Sequence, residues 1–446
     1  MLSTKSKSLT EWQPTAAAPW NLRRVWHLHR RAGFGATWEQ LQRDFADGPE
    51  VSIDRMVAQL QTERAADDFA QMSKVICDAA VASNNINRLK AWWLYRMLNS
   101  PNPLRERLTM MWHNHFATSN VKVEHVGMMR QQNDTLRRLA TGNFGELLRA
   151  MANDPALLVW LDADANRKEH PNENLAREIM EVFALGEGNY SEQDIKEAAR
   201  ALTGWTVKQA EFRNVSERHD GDQKTIFGET GNWSGDDFVR MLLEHPATPR
   251  RLAFRICETF MGESNADEEM IDDLAAGLAE HELNLGWAVE TVIRSEAFFA
   301  DANIGNRVRS PVDFIVGAIR SLEIVKPLPS TLLLAEVTAN LGQDLFNPPN
   351  VFGWPGGRSW LTSRGIIARA NFASALVNGQ LHPIPIVFDA VGFSQNHGNN
   401  DPREATELFA QLLLGVDDGA DELNNIANDQ NNLIVAMLSS PQAFLG

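Results

Sequence analysis

The sequence predicts a mainly α-helical protein built as a single large multi-helix domain. Of its 446 residues, 43% are apolar and 22% are charged, which is close to the composition of an ordinary globular protein. Most of the chain places apolar residues at helical spacing, and several segments open with a helix-capping pair. Strand-like alternation is sparse. No run approaches the roughly 18 apolar residues that would span a bilayer.

The domain is expected to cover residues 22–446, with residues 1–21 forming a disordered segment ahead of it. The first twenty residues, MLSTKSKSLTEWQPTAAAPW, carry two lysines but no apolar stretch of the length that a signal peptide needs. The chain as written is therefore expected to be cytoplasmic, or to have lost an export segment already.

Helix starts are predicted where a Ser or Thr stands three positions before an Asp or Gln, because the two side chains can cap each other's backbone N–H groups. Such pairs are Thr37–Gln40, Ser191–Asp194, Ser234–Asp237 and Ser310–Asp313. In the last pair Pro311 also suits the first helical position. A further helix, led by residues 248–251, is expected to stop at Gly262.

Two stretches break the helical pattern. Residues 205–236 contain the short alternating runs EFRNV and KTIFG around a polar turn, so they are predicted to be a polar insert with one hairpin. Residues 342–365, GQDLFNPPNVFGWPGGRSWLTSRG, are rich in Gly, Pro and Trp. They are predicted to form an ordered loop, called the Gly/Trp loop below.

The charge and the cysteines exclude some classes of function. The formal net charge is −16, from 42 basic and 58 acidic residues, so non-specific nucleic-acid binding is not expected. Two cysteines, Cys77 and Cys257, cannot build a disulfide framework or a cysteine-rich zinc site. They are expected to be separate buried thiols.

The segment MMWHNHFATSNVKVEH, residues 110–125, holds three histidines. If residues 104–116 form one helix, His115 falls on the apolar face and His113 on the opposite side, where it would be solvated or in a helix-ending turn. His115 is therefore the candidate metal ligand or catalytic imidazole. The alternative is a core histidine bonded to a carboxyl or carbonyl group.

The segment HPNENLAREIMEVFALGEGNY, residues 170–190, predicts an amphipathic helix. Asn174, Glu178 and Glu181 fall on its polar stripe, and Glu178 lies at the edge of that stripe. A partly buried Glu178 would have a raised pKa and could exchange protons near neutrality, with Glu181 as its acid/base partner. The alternative is an ordinary helix with an exposed charged face.

Polar residues of the two irregular stretches are further candidates. His219 and Asp220 lie in the polar insert, where they are either catalytic residues or part of a surface loop. In the Gly/Trp loop, Arg358 could hold an anion, and Trp354 and Trp360 could stack on a flat ligand such as a sugar. The alternative is that the loop folds back and its tryptophans pack into the core.

Several long phrases together resemble one bacterial family, catalogued as domain of unknown function 1800. The phrases occur in one order along the chain: WHLHRRAGFGAT (26–37), RERLTMMWHNHFATS (105–119), GNFGELLRAMANDPALLVWLD (142–162), PNENLAREIMEVFALGEGNYSEQDIKEAARALTGW (171–205), HD…KTIFG (219–228) and DLFNPPNVFGWPGGRSWLTSRGIIARANFA (344–373). The resemblance implies a mainly helical fold without an established activity. It also implies signature positions at His115, Glu173, Asn174, Glu178, His219, Asp220, Trp354 and Pro355.

The resemblance bears on partners and compartment as well. Genes of this family often lie beside a second uncharacterised family that resembles sulfatases, which points to a partner from that family. Many members look exported, whereas this chain shows no export signal.

Two hypotheses about function follow. The first is an enzyme in which His115, Glu178, Glu181, His219 and Asp220 converge, with His115 and Glu178 binding a divalent metal such as Zn, Mn or Fe for hydrolysis or oxidation. The second is a non-catalytic binding or assembly protein that presents the insert and the Gly/Trp loop to a glycan or a protein.

Overall fold

The computed structural model describes residues 7–61, 67–262, 266–416 and 429–446, and they are mainly helical, as predicted. Residues 1–6, part of the expected N-terminal segment, lie outside the described ranges. The first helices are α1 (Leu22–Ala32), α2 (Trp38–Asp47), α3 (Pro49–Gln61), α4 (Asp67–Ala82), α5 (Ile86–Asn99), α6 (Pro103–His115), α7 (Asn120–Val123), α8 (Val126–Leu139), α9 (Phe144–Ala152) and α10 (Pro155–Trp160).

The middle of the chain contains α11 (Asn174–Glu178), which continues as a π-helix (Ile179–Ala184), α12 (Glu192–Ala201), α13 (Gly235–Glu244), α14 (Ala247–Met261), α15 (Glu268–Glu280), α16 (Leu285–Ile293) and α17 (Glu296–Phe299). The last part contains α18 (Pro311–Ser321), α19 (Thr331–Asn340), α20 (Ser363–Val377), α21 (Ala390–Asn396), α22 (Pro402–Leu414) and α23 (Gln430–Ser439). Short 3₁₀ turns lie at Lys7–Leu9, Ala163–Ala165, Ser216–Arg218, Gly357–Trp360 and Pro441–Phe444.

Most predicted helix starts are confirmed. Reciprocal capping boxes form at Thr37–Gln40, Ser191–Asp194 and Ser234–Asp237, and α14 stops at Gly262. Ser310 also caps α18, but the carboxylate of Asp313 does not cap the helix in return. It turns to the guanidinium of Arg107 instead, so the predicted fourth capping box is only half formed.

The expectation of disorder before residue 22 is not met by residues 7–21. Leu9 and Trp12 are buried. The Trp12 ring packs against Phe299 with a centroid separation of 4.8 Å, and its backbone N–H donates to the carbonyl of Arg294. Burying these two apolar side chains orders a segment whose composition alone looked polar.

The polar insert contains two hairpins, where the sequence predicted one. Strand β1 (Trp205–Lys208) pairs antiparallel with β2 (Glu211–Asn214), and β3 (Lys224–Ile226) pairs antiparallel with β4 (Glu229–Gly231). The runs EFRNV and KTIFG do contain β2 and β3, but each of these strands pairs with its own neighbour in sequence, and the partners β1 and β4 were not predicted.

Helix α6 runs between two hydrophobic clusters and is buried on nearly all sides. Leu104, Leu108 and Trp112 belong to the cluster shared with α8, α9 and α14, whereas Met110 belongs to the cluster shared with α5, α18 and α20. A helix that contacts core on both faces has no solvent face, so its polar residues are buried too.

Two further sequence predictions concern the cysteines and membrane-spanning helices. Cys77 and Cys257 are both buried and unbridged, as expected. Over the described ranges, none of the helices combines the length and apolar character needed to cross a membrane.

Candidate functional site

His115 is fully buried in the protein interior. Its side chain is buried among Trp112, Phe116 and Phe183, and its Nε2 lies 2.9 Å from the carbonyl oxygen of Phe183. Because a carbonyl only accepts, Nε2 carries the proton and donates it. The core alternative stated for His115 is therefore the arrangement that the structure shows.

The π-helix explains why a histidine is needed there. A π-helix shifts backbone pairing to the fifth residue, as in the bond from the Leu185 N–H to the Met180 carbonyl, and leaves carbonyls at its end without helical partners. His115 binds the carbonyl of Phe183. Arg251 binds the carbonyl of Val182 through Nε and Nη2, at 3.0 and 2.8 Å.

Among the described residues, no hydrogen bond or ion pair joins His115 to Glu178, Glu181 or Asp220. Burial and the nearby guanidiniums of Arg255 and Arg251 lower the pKa of His115, whereas the carboxylates of Glu178 and Glu181 are not among the groups that shift it. Within the part of the chain that the structure describes, no group of three or more His, Cys, Asp or Glu side chains could hold a metal ion. The arrangement therefore gives no support to a metal bridging His115 and Glu178.

His113 is buried as well, and the expectation that it would be solvated is wrong. Its ring packs between Trp93, Phe346 and Trp354, with centroid separations of 4.9, 5.1 and 5.9 Å. Burial lowers the pKa of His113 to about 4, so the ring is neutral at physiological pH. The sequence placed it correctly on the opposite side of α6 from His115, but that side faces the second cluster.

Glu178 and Glu181 lie close enough to interact electrostatically. Burial, followed by the charge of Glu181, raises the pKa of Glu178 to about 7. Glu181 accepts a hydrogen bond of 2.6 Å from the Tyr190 hydroxyl. Asn174 donates to the carbonyl of Leu161 and has a structural role at the start of α11.

His219 and Asp220 fasten the polar insert to α12. The ring Nδ1 of His219 lies 2.9 Å from the Thr203 carbonyl, and the carboxylate of Asp220 accepts from Arg200 at 2.7 Å. The Asp220 N–H also donates to the Thr203 hydroxyl. These bonds tie the insert to the domain and place neither residue beside His115.

The Gly/Trp loop folds back over α6, which is the alternative that the sequence left open. Trp354 and Trp360 are 5% and 6% exposed, so neither ring is presented to solvent as a stacking platform. The backbone N–H of Trp354 donates to Asn114 Oδ1 at 2.7 Å. Gly353 has φ +87° and lies so close to Asn114 that a Cβ would overlap it. Only glycine fits this approach.

Arg358, the predicted anion-binding residue, is exposed and points to no cavity of the loop. A cavity of about 320 Å³ does lie beneath the loop, and we call it the Trp-loop cavity. Its lining combines three arginines, one carboxylate, aromatic side chains and amides: Arg107, Arg255, Arg307, Glu258, Phe352, Trp354, Trp360, Asn114 and Gln343, among others.

The arginines of this cavity were not singled out from the sequence. Arg255 pairs with Glu258 one helical turn away, and its Nε has no hydrogen-bond partner. Arg307 donates to the Thr259 carbonyl at 3.1 Å. Arg107 is committed to Asp313 and to the carbonyls of α1. These arginines could have been identified from their position inside or beside apolar helices, because a guanidinium that is buried there needs partners.

Nearly the whole chain falls inside one family match. The family model described as "Protein of unknown function (DUF1800)" matches residues 27–445. The chain belongs to the DUF1800 family. The resemblance inferred from the long motifs is thereby confirmed, and the match includes every residue that lines the Trp-loop cavity. Comparison with curated proteins and with solved structures gives no match to this chain.

Proposed function

We propose that this DUF1800 protein is a binding protein, and that its Trp-loop cavity takes an anionic ligand with an apolar body. The observation that carries the proposal is the pairing of a guanidinium wall with an aromatic wall in one cavity. Ligand pockets commonly combine apolar lining with a few converging polar groups. This refines the binding hypothesis, with the ligand under the loop and not on its outer surface.

The charge of the lining favours an anion. Arg107, Arg255 and Arg307 line the cavity, against the carboxylates of Glu258 in the lining and of Asp313 behind it, so the site keeps a net charge of +1 in a chain whose formal charge is −16. Arg255 has an unpartnered Nε, and its pairing with Glu258 leaves further donors for a ligand. Guanidinium is the group best suited to bind carboxylate, phosphate or sulfate in a two-pronged way.

The opposite wall supplies apolar contact. Trp354 and Trp360 are held by the core, whereas Phe352 is 62% exposed at the mouth of the cavity. An aromatic at the rim can close over a ligand's apolar part, and its burial would add binding free energy. A ligand with a charged group alone would leave this wall unused.

Calorimetric titration with phenyl phosphate, followed in parallel by tryptophan fluorescence, tests the proposal. Phenol is the neutral control. We expect phenyl phosphate to bind and phenol not to bind. We expect Arg255→Met to weaken binding by about tenfold or more, because a charge-assisted hydrogen bond is lost.

Two matched variants sharpen the result. Glu258→Gln removes the carboxylate that competes for Arg255, so binding should strengthen. Arg358→Met removes an exposed arginine outside the cavity, so binding should not change. Absence of phenyl phosphate binding, or equal weakening by Arg255→Met and Arg358→Met, would contradict the proposal.

One observation favours a second function, proton transfer at Glu178. The carboxyl group is half-buried, has no hydrogen-bond or ion-pair partner among the described residues, and has a pKa raised to about 7. A carboxyl group that titrates near neutrality is suited to general acid/base catalysis. This keeps the enzyme hypothesis for the Glu178–Glu181 pair, without His115 and without a metal.

A carboxylate NMR titration tests this second candidate. Glu178 should titrate near pH 7, and Glu181→Gln should lower its midpoint because a neighbouring negative charge is removed. A titration midpoint of Glu178 near the ordinary value of 4.5 in the wild-type protein would contradict its role in proton transfer.

A further inference from the structure

A second cavity, of about 450 Å³, lies between the loop that follows α18 and the segment that leads into α21, and we call it the α21 cavity. It shares no lining residue with the Trp-loop cavity. Its apolar lining consists of Leu322, Ile324, Pro327, Leu376, Ile386, Val387, Phe388 and Phe393, and its polar lining of Glu323, Lys326, His382, Asp389, Asn396 and His397. Apolar walls with a few polar groups are typical of a ligand pocket.

The aromatic wall of the α21 cavity is fixed by the helices around it. The Phe388 N–H donates to the Val377 carbonyl at the end of α20, at 2.8 Å, and Asn431 of α23 donates to the Phe388 carbonyl at 2.7 Å. The ring of Phe393 lies 5.5 Å from that of Phe388 and 5.6 Å from that of Phe409. A wall that is already ordered binds a ligand without a further cost in entropy.

Two hydrogen-bond acceptors of the lining are left over. His382 is 7% exposed, and its Nε2 lies 3.0 Å from the Pro327 carbonyl, so Nε2 is the donor. The Nδ1 of the neutral ring is then an acceptor, and it has no hydrogen-bond partner. Glu323 Oε1 accepts no hydrogen bond either, although the Nε2 of His397 lies 3.4 Å from it.

The position of Glu323 is unusual for a carboxylate. The residue follows Leu322, the C-cap of α18, and has φ +53°, where Gly or Asn is the common residue. A helix C-terminus is equivalent to about half a negative charge, so it disfavours a carboxylate beside it. Both features reduce stability, and a positively charged partner would offset the second.

The lining as a whole carries negative charge. Glu323 and Asp389 contribute two carboxylates, and Lys326, which is exposed, contributes one ammonium group. With His382 and His397 counted as neutral, the net charge is −1. The charge and the leftover acceptors therefore both favour a ligand that is a cation and a hydrogen-bond donor.

We propose that the α21 cavity binds a primary organic ammonium ion with an apolar body, of the arylalkylamine class. The ammonium group donates to the Glu323 carboxylate and to His382 Nδ1. The body of the ligand packs against Phe388 and Phe393, whose rings can also attract the cation. The site takes the opposite charge from the Trp-loop cavity, so it does not rest on the function proposed for that cavity.

Calorimetric titration of the wild-type protein with three small ligands tests the site. 2-Phenylethylamine, 2-phenylethanol and 3-phenylpropionate share one ring and are close in size, but they are a cation, a neutral molecule and an anion. We expect the amine to bind, the alcohol to bind at least about tenfold more weakly, and the carboxylate not to bind. Only the amine should shift the ring NMR signals of His382 and His397. Equal binding of amine and alcohol would overturn the proposal.

Variants of Glu323 locate the binding. Glu323→Gln should weaken amine binding by about tenfold or more, because a charge-assisted hydrogen bond is lost. Glu323→Asn suits the left-handed φ, so it should fold at least as stably as the wild type and still lose the amine. Glu336→Gln on α19 is the matched control, since Glu336 is exposed and lies outside the cavity.

The control and the other cavity separate the possible outcomes. Glu336→Gln should leave amine binding unchanged, and Glu323→Gln should leave phenyl phosphate binding unchanged. Amine binding that survives both Glu323 variants, or that Glu336→Gln weakens as much as Glu323→Gln does, would overturn the proposal. Failure of phenyl phosphate to bind would contradict the Trp-loop proposal alone.

Discussion

His115 and the buried arginines near Asp313, which are Arg30, Arg107, Arg309 and Arg369, are buried to a similar depth, but burial acts on them in opposite ways. The imidazole of His115 loses its charge, because burial lowers its pKa, and one donated bond to Phe183 satisfies it. The guanidinium of Arg30 keeps its charge and retains two donors without partners. A buried histidine can therefore be structural as a neutral ring, whereas a buried arginine keeps its charge and needs a carboxylate or carbonyls around it.

The two regions also differ in whether their polar groups find partners within the protein. On the histidine side, His115 and Arg251 bind the carbonyls that the π-helix leaves over. Among the buried arginines, Arg30 and Arg107 donate to carbonyls at helix ends, and the Nε and Nη1 of Arg30 have no hydrogen-bond partner. His115 is thus part of the scaffold, and Arg255, the arginine of the Trp-loop cavity whose Nε has no hydrogen-bond partner, lies on α14.

The largest expected effect comes from removing the carboxylate of Asp313, which is buried and forms an ion pair with the buried Arg107. Asp313→Asn should lower the free energy of unfolding by about 3–5 kcal/mol, because it leaves buried guanidiniums without their partner. Urea unfolding at neutral pH measures it.

Its control is Asp272→Asn on the surface. Asp272 pairs with Arg250, and both side chains are exposed, so the change should be below about 1 kcal/mol. If the two variants lose similar stability, Asp313 is not the counter-charge that the buried arginines require.

The next-largest effect is the pH dependence that His113 gives to the free energy of unfolding. His113 has a pKa of about 4 in the folded protein and about 6.5 in the unfolded chain, so the unfolded state binds a proton more readily between these values. Its contribution to stability is complete above pH 6.5 and is lost as the pH falls toward 4, by about 3 kcal/mol in all.

His113→Phe removes this contribution, so its unfolding free energy should decline less steeply than that of the wild type over this range. Asp154 and Glu178, whose pKa values are both raised to about 7, act in the opposite direction in both proteins and cancel in the comparison. Parallel pH profiles for the two proteins would show that His113 is not the buried neutral ring seen here.

The smallest effect is expected from His115→Phe. The Phe183 carbonyl would lose its donor, at a cost of about 1–2 kcal/mol in unfolding free energy. Phenyl phosphate affinity and the metal content of the purified protein should stay at the wild-type values. Loss of a stoichiometric metal in this variant would restore the metal-site hypothesis and weaken the contrast between the two regions.

The sequence predicted what depends on local pattern. The capping boxes at Thr37, Ser191 and Ser234, the glycine stop at Gly262, and the half-buried position of Glu178 follow from neighbours within a turn or two of helix. The Gly/Trp loop was also placed correctly, because its composition is unusual.

What the sequence did not predict depends on which elements meet. His113 looked solvated because its own helix face is polar, yet Trp93 and Trp354 come from distant segments to cover it. Arg30 and Arg307 are 277 positions apart, and no local pattern shows that one void joins them. For the same reason His115 could be assigned to a buried face but not to the carbonyl of Phe183.

The contrast between the two regions can be tested most directly by measuring urea unfolding of Asp313→Asn and His115→Phe side by side. We expect the loss of the Asp313 carboxylate, which pairs with the buried Arg107, to cost several times more unfolding free energy than the loss of the His115 imidazole, which donates one hydrogen bond to a carbonyl. Equal losses in the two variants would contradict this contrast.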